Sequence, residues 1–120
     1  MPDEPRDVEE LLAEVYREFR EGLPVRLEAL RSALTQLIKG WDETAADLFY
    51  RTAHTLKGTA ASFDADELVT PATVLADLGL RWEEKGTLDR GEIEQAVEEL
   101  ERLAAAIEGY VERMEGEGSG

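Results

Sequence analysis

The chain carries a single histidine, His54, inside the run Ala53-His54-Thr55-Leu56-Lys57-Gly58-Thr59-Ala60-Ala61-Ser62-Phe63, and it has no cysteine. Imidazole is the side chain whose unperturbed pKa lies near neutrality, so much of it is a free nucleophile or base at pH 7. The lack of cysteine removes thiolate catalysis, disulfides and Cys-type zinc sites. Any chemistry this protein performs therefore centres on His54, with Lys57 and Gly58 one helical turn further on.

Charge sharpens that focus. The chain holds 28 acidic and 13 basic residues, for a net charge of −15. Yet no acid lies between Asp47 and Asp64, where Arg51, His54 and Lys57 stand. Such a gap makes a local surface hospitable to an anion; the plainer reading is a core helix that simply carries few charges. The overall acidity argues against nucleic acid and anionic membrane, both of which need basic surface to displace counterions. No apolar run approaches the roughly 18 residues of a membrane span. Met1-Pro2-Asp3-Glu4 opens no signal peptide. The expected location is cytoplasmic, with which the absence of disulfides is compatible.

The elements that must position His54 read as helices almost throughout. Val8, Leu11, Leu12, Val15 and Phe19 form a short amphipathic stripe ending near Gly22. Pro24 suits the first position of a second helix, with the stripe Leu27, Leu30, Leu34, Leu37 and Ile38. Gly40 stops it, and Asp42 can cap the helix that carries His54. The next stripe is Leu68, Ala72, Leu75, Leu78 and Trp82; within it Pro71 marks either a kink or a fresh helix start. Asp89 with Glu92 three residues on has the form of a capping box. It opens a helix with the stripe Ile93, Val97, Leu100, Ala104, Ile107, Val111 and Met114. The expected fold is all-α: an antiparallel four-helix bundle with one additional short N-terminal helix. Residues 1–114 form that single domain, and residues 115–120, Glu-Gly-Glu-Gly-Ser-Gly, read as a flexible linker or tail.

At ~100° per residue, Phe49, Ala53, Leu56, Ala60 and Phe63 share the face turned to the core. His54 then points outward, with Lys57 and Gly58 one turn towards the C-terminus, Tyr50 and Arg51 one turn the other way, and Ala61 two turns on. Glycine inside a helix costs about 1 kcal/mol relative to alanine. Gly58 is no cap, because the apolar pattern continues to Phe63. What it supplies is access: without a side chain there, another protein can bring its backbone close to His54. Lys57 places a cation where a phosphoryl group on the outer imidazole nitrogen would carry negative charge. The plainer alternatives are a solvated helix face for His54 and Lys57, and a close helix contact for Gly58.

The run His54-Thr55-Leu56-Lys57-Gly58-Thr59-Ala60 resembles the phosphoacceptor motif of histidine-containing phosphotransfer (HPt) domains. The likeness extends over nearly the whole chain: Leu23 to Leu30 is similar to the family's preceding helix, and Phe63 to Leu78 to the one after the motif. The chain resembles an N-terminal HPt domain of a chemotaxis-type or hybrid signalling protein. The resemblance implies a helical bundle with an exposed histidine that takes a phosphoryl group from, or passes it to, an aspartate of a response-regulator receiver domain. It also implies a histidine kinase upstream. By that analogy His54 is the acceptor, Lys57 helps hold the phosphoryl group, and Gly58, Ala61, Tyr50 and Arg51 dock the receiver. The receiver brings the Mg²⁺, so no metal site, cofactor or small-molecule ligand is expected here. Chemotaxis-kinase members place a glutamate against the histidine from the next helix. Ala76 stands there in this chain, with Asp77 adjacent and Thr73 a turn before, which favours relay with a receiver over direct phosphorylation by such a kinase.

Other classes fit less well. A di-metal carboxylate bundle needs Glu-x-x-His pairs from two helices, and this chain has one histidine, preceded at i−3 by Arg51. A Ser-His-Asp hydrolase needs a walled pocket and an oxyanion hole, which nothing in the sequence builds. Histidine-kinase dimerisation helices carry an acid directly after the histidine, where Thr55 stands, and there is no nucleotide-binding motif, so the chain is not itself a kinase. The alternative is a non-catalytic helical adaptor that docks signalling partners without carrying phosphate.

Overall fold

The computed structural model describes residues 7–118, and among them every regular element is a helix. The helices are α1 (Val8–Lys39), α2 (Glu43–Ser62), α3 (Asp66–Lys85) and α4 (Arg90–Gly118). Short connections force antiparallel neighbours. Each helix packs on the next and α4 closes against α1, with the most extensive contact between α2 and α3. The core is continuous, from Phe19 at one end through Leu23, Leu30, Phe49, Leu56, Leu75 and Leu103 to Trp82.

The four-helix bundle stands as expected, but the short N-terminal helix is not separate. One helix runs through Gly22 and Pro24 for 32 residues. Proline removes one backbone N–H and so one intrahelical bond. Here Phe19, Leu23, Leu27, Leu30, Leu34 and Leu37 are all buried on one face. Because that stripe keeps its phase across the proline, breaking the helix would take one half of it out of the core. The glycine is accommodated too: a Cβ at Gly22 would lie 2.9 Å from Arg26 Nη1. Arg26 therefore folds back along α1, its guanidinium 6.0 Å from the centre of the Phe19 ring. Of the first stripe only Phe19 is buried; Val8, Leu11, Leu12 and Val15 stay on the surface.

Pro71 lies buried inside a single helix, so a fresh start at Thr70 does not occur. Its neighbours Leu68, Ala72, Leu75, Leu78 and Trp82 all reach the core as expected. In α4 the buried face is rotated from the expected stripe. Ala96, Leu100, Leu103, Ile107 and Tyr110 are buried, whereas Val97 is 42% exposed. Two polar contacts set that rotation. At one end the Tyr110 hydroxyl donates to the Phe63 carbonyl at 2.8 Å. At the other, Glu92 turns inward. α4 also continues through Gly118, into the segment expected as tail, and residues 119–120 lie outside the described residues.

The predicted caps form. Asp42 accepts from the Ala45 N–H at 3.0 Å and so starts α2. The Asp89–Glu92 box is reciprocal: Glu92 N–H donates to Asp89 Oδ1 at 2.8 Å, and Asp89 N–H to Glu92 Oε1 at 3.2 Å. Glu92 does more than cap. It is 7% exposed, and it accepts from Lys85 Nζ at 2.8 Å, Trp82 Nε1 at 3.2 Å and Arg81 Nη1 at 3.3 Å. The same carboxylate thus ties the end of α3 to the start of α4.

Burial alone would raise the Glu92 pKa, but the hydrogen bonds from Lys85 and the Asp89 N–H, the Lys85 charge and the Trp82 indole outweigh it and hold the group at about 2. A carboxylate with a lowered folded-state pKa stabilises above its unfolded value, and that stabilisation is lost as pH falls towards the folded value. Denaturant unfolding should therefore show stability dropping between about pH 4.5 and pH 2. Glu92→Gln should be less stable than the parent by about 1–3 kcal/mol at pH 7, with a flatter acid limb.

Candidate functional site

α2 presents His54 by simple phase. Ala45, Ala46, Phe49, Ala53, Leu56 and Ala60 are its buried residues, and His54 stands exposed on the other side. Lys57 and Tyr50 are half-buried, while Arg51, Gly58 and Ala61 are exposed. All six expected site residues therefore border one stretch of α2, with His54 near its centre.

Three features of the surroundings define what this surface can do. Among the described residues no hydrogen bond or ion pair reaches the His54 imidazole; its one ring contact is with Tyr50, at 5.5 Å between centroids and 23° between planes. Ala76 on α3, the position that the family resemblance sets against the histidine, is buried and offers no polar atom beyond its backbone. Thr73, a turn away, donates its hydroxyl to the Val69 carbonyl at 2.7 Å and is occupied by its own helix. Both imidazole nitrogens are thus free for a partner.

Second, a Cβ built at Gly58 meets nothing within 4 Å. The close-contact explanation for this glycine fails, since nothing among the described residues occupies the space. Gly79 is the opposite case and was not singled out from sequence. A Cβ there would lie 3.0 Å from Tyr50 Cα and 3.2 Å from both Tyr50 Cβ and Phe49 Cδ1. α3 is pressed against α2 at the residue beside His54. The only sequence signal was a small residue between Leu78 and Leu80 on a helix already assigned to the core.

Third, the cations are not equivalent. Arg51 Nε donates to Asp47 Oδ1 at 3.1 Å, which offsets its charge. For Lys57 no ion pair or side-chain hydrogen bond occurs among the described residues. The acid-free window in the sequence is therefore partly closed at its N-terminal edge, because Asp47 lies one turn from Arg51.

The C-terminal end of α2 is held firmly. Asp64 adopts a left-handed conformation with φ 57°, and Ala65 N–H reaches the Ala60 carbonyl at 2.9 Å, closing the helix in a Schellman-like turn. α1 and α4 both grip that turn. Tyr16 donates to Asp64 Oδ2 at 3.0 Å and Arg113 Nη2 to the Asp64 carbonyl at 3.0 Å. Phe63 stacks on Phe19, centroids 4.5 Å apart. Among the described residues no group of three or more acidic or histidine side chains could hold a metal ion, and no helix is long and apolar enough to cross a membrane.

Replacing Gly79 by alanine should force α3 away from α2 and lower stability by about 1–3 kcal/mol, because the obstructing atom is backbone; thermal unfolding of the variant measures this.

Comparison with known proteins agrees with this geometry. The family model described as Hpt domain matches residues 14–113. No curated protein and no solved structure matches the chain. An all-helical bundle with an outward histidine on its second helix, matched over most of its length, makes this chain a member of the Hpt-domain family, the phosphotransfer carriers of two-component signalling.

Proposed function

We propose that the protein is a phosphorelay carrier in which His54 accepts a phosphoryl group and exchanges it with an aspartate of a response-regulator receiver domain. The observation that carries this reading is an exposed imidazole with both nitrogens unengaged, beside a glycine whose missing side chain no internal contact requires. The outer nitrogen of neutral His54 attacks the acyl phosphate, and the reaction runs in both directions. Such transfer depends on alignment and charge rather than on elaborate machinery. The receiver supplies the acidic pocket and the Mg²⁺.

Lys57 stabilises the transferred group, with no acid among the described residues paired to its charge. Gly58 and Ala61 let the receiver's backbone approach, and Tyr50 and Arg51 border the contact. Arg51, paired with Asp47, contributes at the rim more by shape than by net charge. The absence of a carboxylate at Ala76 favours a receiver over a chemotaxis-type kinase domain as the direct donor. Kinase activity lies with a separate histidine kinase upstream, and the setting is cytoplasmic.

The decisive test is incubation with a phosphorylated receiver in Mg²⁺. The parent should gain acid-labile, alkali-stable phosphate, and His54→Gln should gain none while keeping its stability. Absence of transfer from several receivers to a folded parent would favour the adaptor reading instead. Lys57→Ala should slow exchange by roughly tenfold, the effect of losing about 1.4 kcal/mol of transition-state stabilisation. Gly58→Ala separates folding from function: with open space around the new methyl group, it should be more stable by up to about 1 kcal/mol, yet exchange phosphate more slowly.

A further inference from the structure

We propose that Tyr50 is a positioning residue for the chemistry at His54, its ring holding the imidazole by one face so that the nitrogens at the ring edge stay aimed outward. This rests on the carrier reading above and assigns Tyr50 a role within the domain as well as at the contact with the receiver. The rings lie one helical turn apart with centroids 5.5 Å apart and planes inclined by 23°. That is within the range in which stacked aromatic pairs attract. Among the described residues no side chain hydrogen-bonds the imidazole, and Ala76 on α3 has no side-chain polar atom with which to do so.

Tyr50 can do this because it is itself held. Gly79 leaves 3.0 Å between the position of a would-be Cβ and Tyr50 Cα, so α3 abuts the Tyr50 backbone directly. The Tyr50 ring is half-buried. Its hydroxyl has no hydrogen-bond partner among the described residues, so packing of the ring, rather than a polar anchor, sets its place. A phenylalanine would keep the stack.

Stacking by the face also suits the reaction. As the lone pair of the outer nitrogen forms the N–P bond, the P–O bond to the receiver aspartate breaks and its electron pair stays on the carboxylate. The proton on the other ring nitrogen is retained at that moment, so the imidazole ring becomes cationic until that proton passes to water. A cation over an aromatic face is favoured. Return of the phosphoryl group to the receiver retraces these steps, so the stack assists both directions.

The test compares the parent with Tyr50→Phe and Tyr50→Leu. Because the chain has one histidine, its imidazole carbon-bound protons give a single assignable pair of NMR signals. The aromatic ring current should shift them in the parent and in Tyr50→Phe, and the shift should vanish in Tyr50→Leu. Transfer from a phosphorylated receiver at saturating concentration should fall about fivefold in Tyr50→Leu, the rate equivalent of one stacking contact, and fall clearly less in Tyr50→Phe, which keeps the ring over the imidazole. Parental transfer by Tyr50→Leu, or equal loss in Tyr50→Phe, would overturn the positioning role while leaving His54 as the carrier. Failure of the parent itself to become phosphorylated would overturn both.

Discussion

Contact between α2 and α3 at Gly79 is the constraint on which the rest of the structure depends. A glycine on α3 lets the backbone of Tyr50 come so close that a methyl group there would lie only 3.0 Å from Tyr50 Cα. Once the helices meet there, the phase of α2 is set: Phe49 turns into the core, where its ring meets Trp82 at 5.1 Å. His54, five residues on, must then face solvent. The exposure of the imidazole is thus a consequence of packing on the opposite side of the helix. Trp82 carries the constraint further, since its indole donates to Glu92, which starts α4.

Polar contacts then fix what apolar packing leaves loose. A bundle of leucine and alanine surfaces tolerates rotation of a helix about its axis. α4 is denied that freedom at both ends, by Glu92 among the α3 donors and by Tyr110 on the Phe63 carbonyl. Such buried polar groups specify one arrangement only when fully partnered, and here each has its partner. At His54 the reverse holds: among the described residues the imidazole has no hydrogen-bond partner, and its ring contact is with Tyr50.

Helix class, bundle architecture, the caps at Asp42 and at Asp89 with Glu92, and the outward face of His54 were legible in the sequence, because each rests on periodicity or on a short-range pairing such as Asp89 with Glu92. The family was legible through the resemblance of the contiguous run His54 to Ala60 to its motif. What escaped was long-range. The continuity of α1 through Pro24 depends on a core stripe in phase on both sides of the proline, and its two halves were read as separate helices. The face of α4 turns on Tyr110 reaching Phe63, 47 positions away. Gly79 has meaning only once Tyr50 is opposite it. At the site, the pairing of Arg51 with Asp47 is short-range and could have been read from their i, i+4 spacing.

The turn after α2 has one more implication, for where this unit can be cut. Tyr16 from α1 and Arg113 from α4 both fasten Asp64. Tyr16 stands just inside one limit of the family match, residues 14–113, and Arg113 at the other. The outermost parts of a bundle would ordinarily be its most dispensable turns. Here trimming either helix past its fastening residue would loosen the last turn of the histidine-bearing helix, at the far end of the chain's fold from the cut in sequence but adjacent to it in space. The family's boundaries thus coincide with a mechanical requirement: a fusion or linker can begin outside this pair of residues and leave the histidine helix anchored at its C-terminal end.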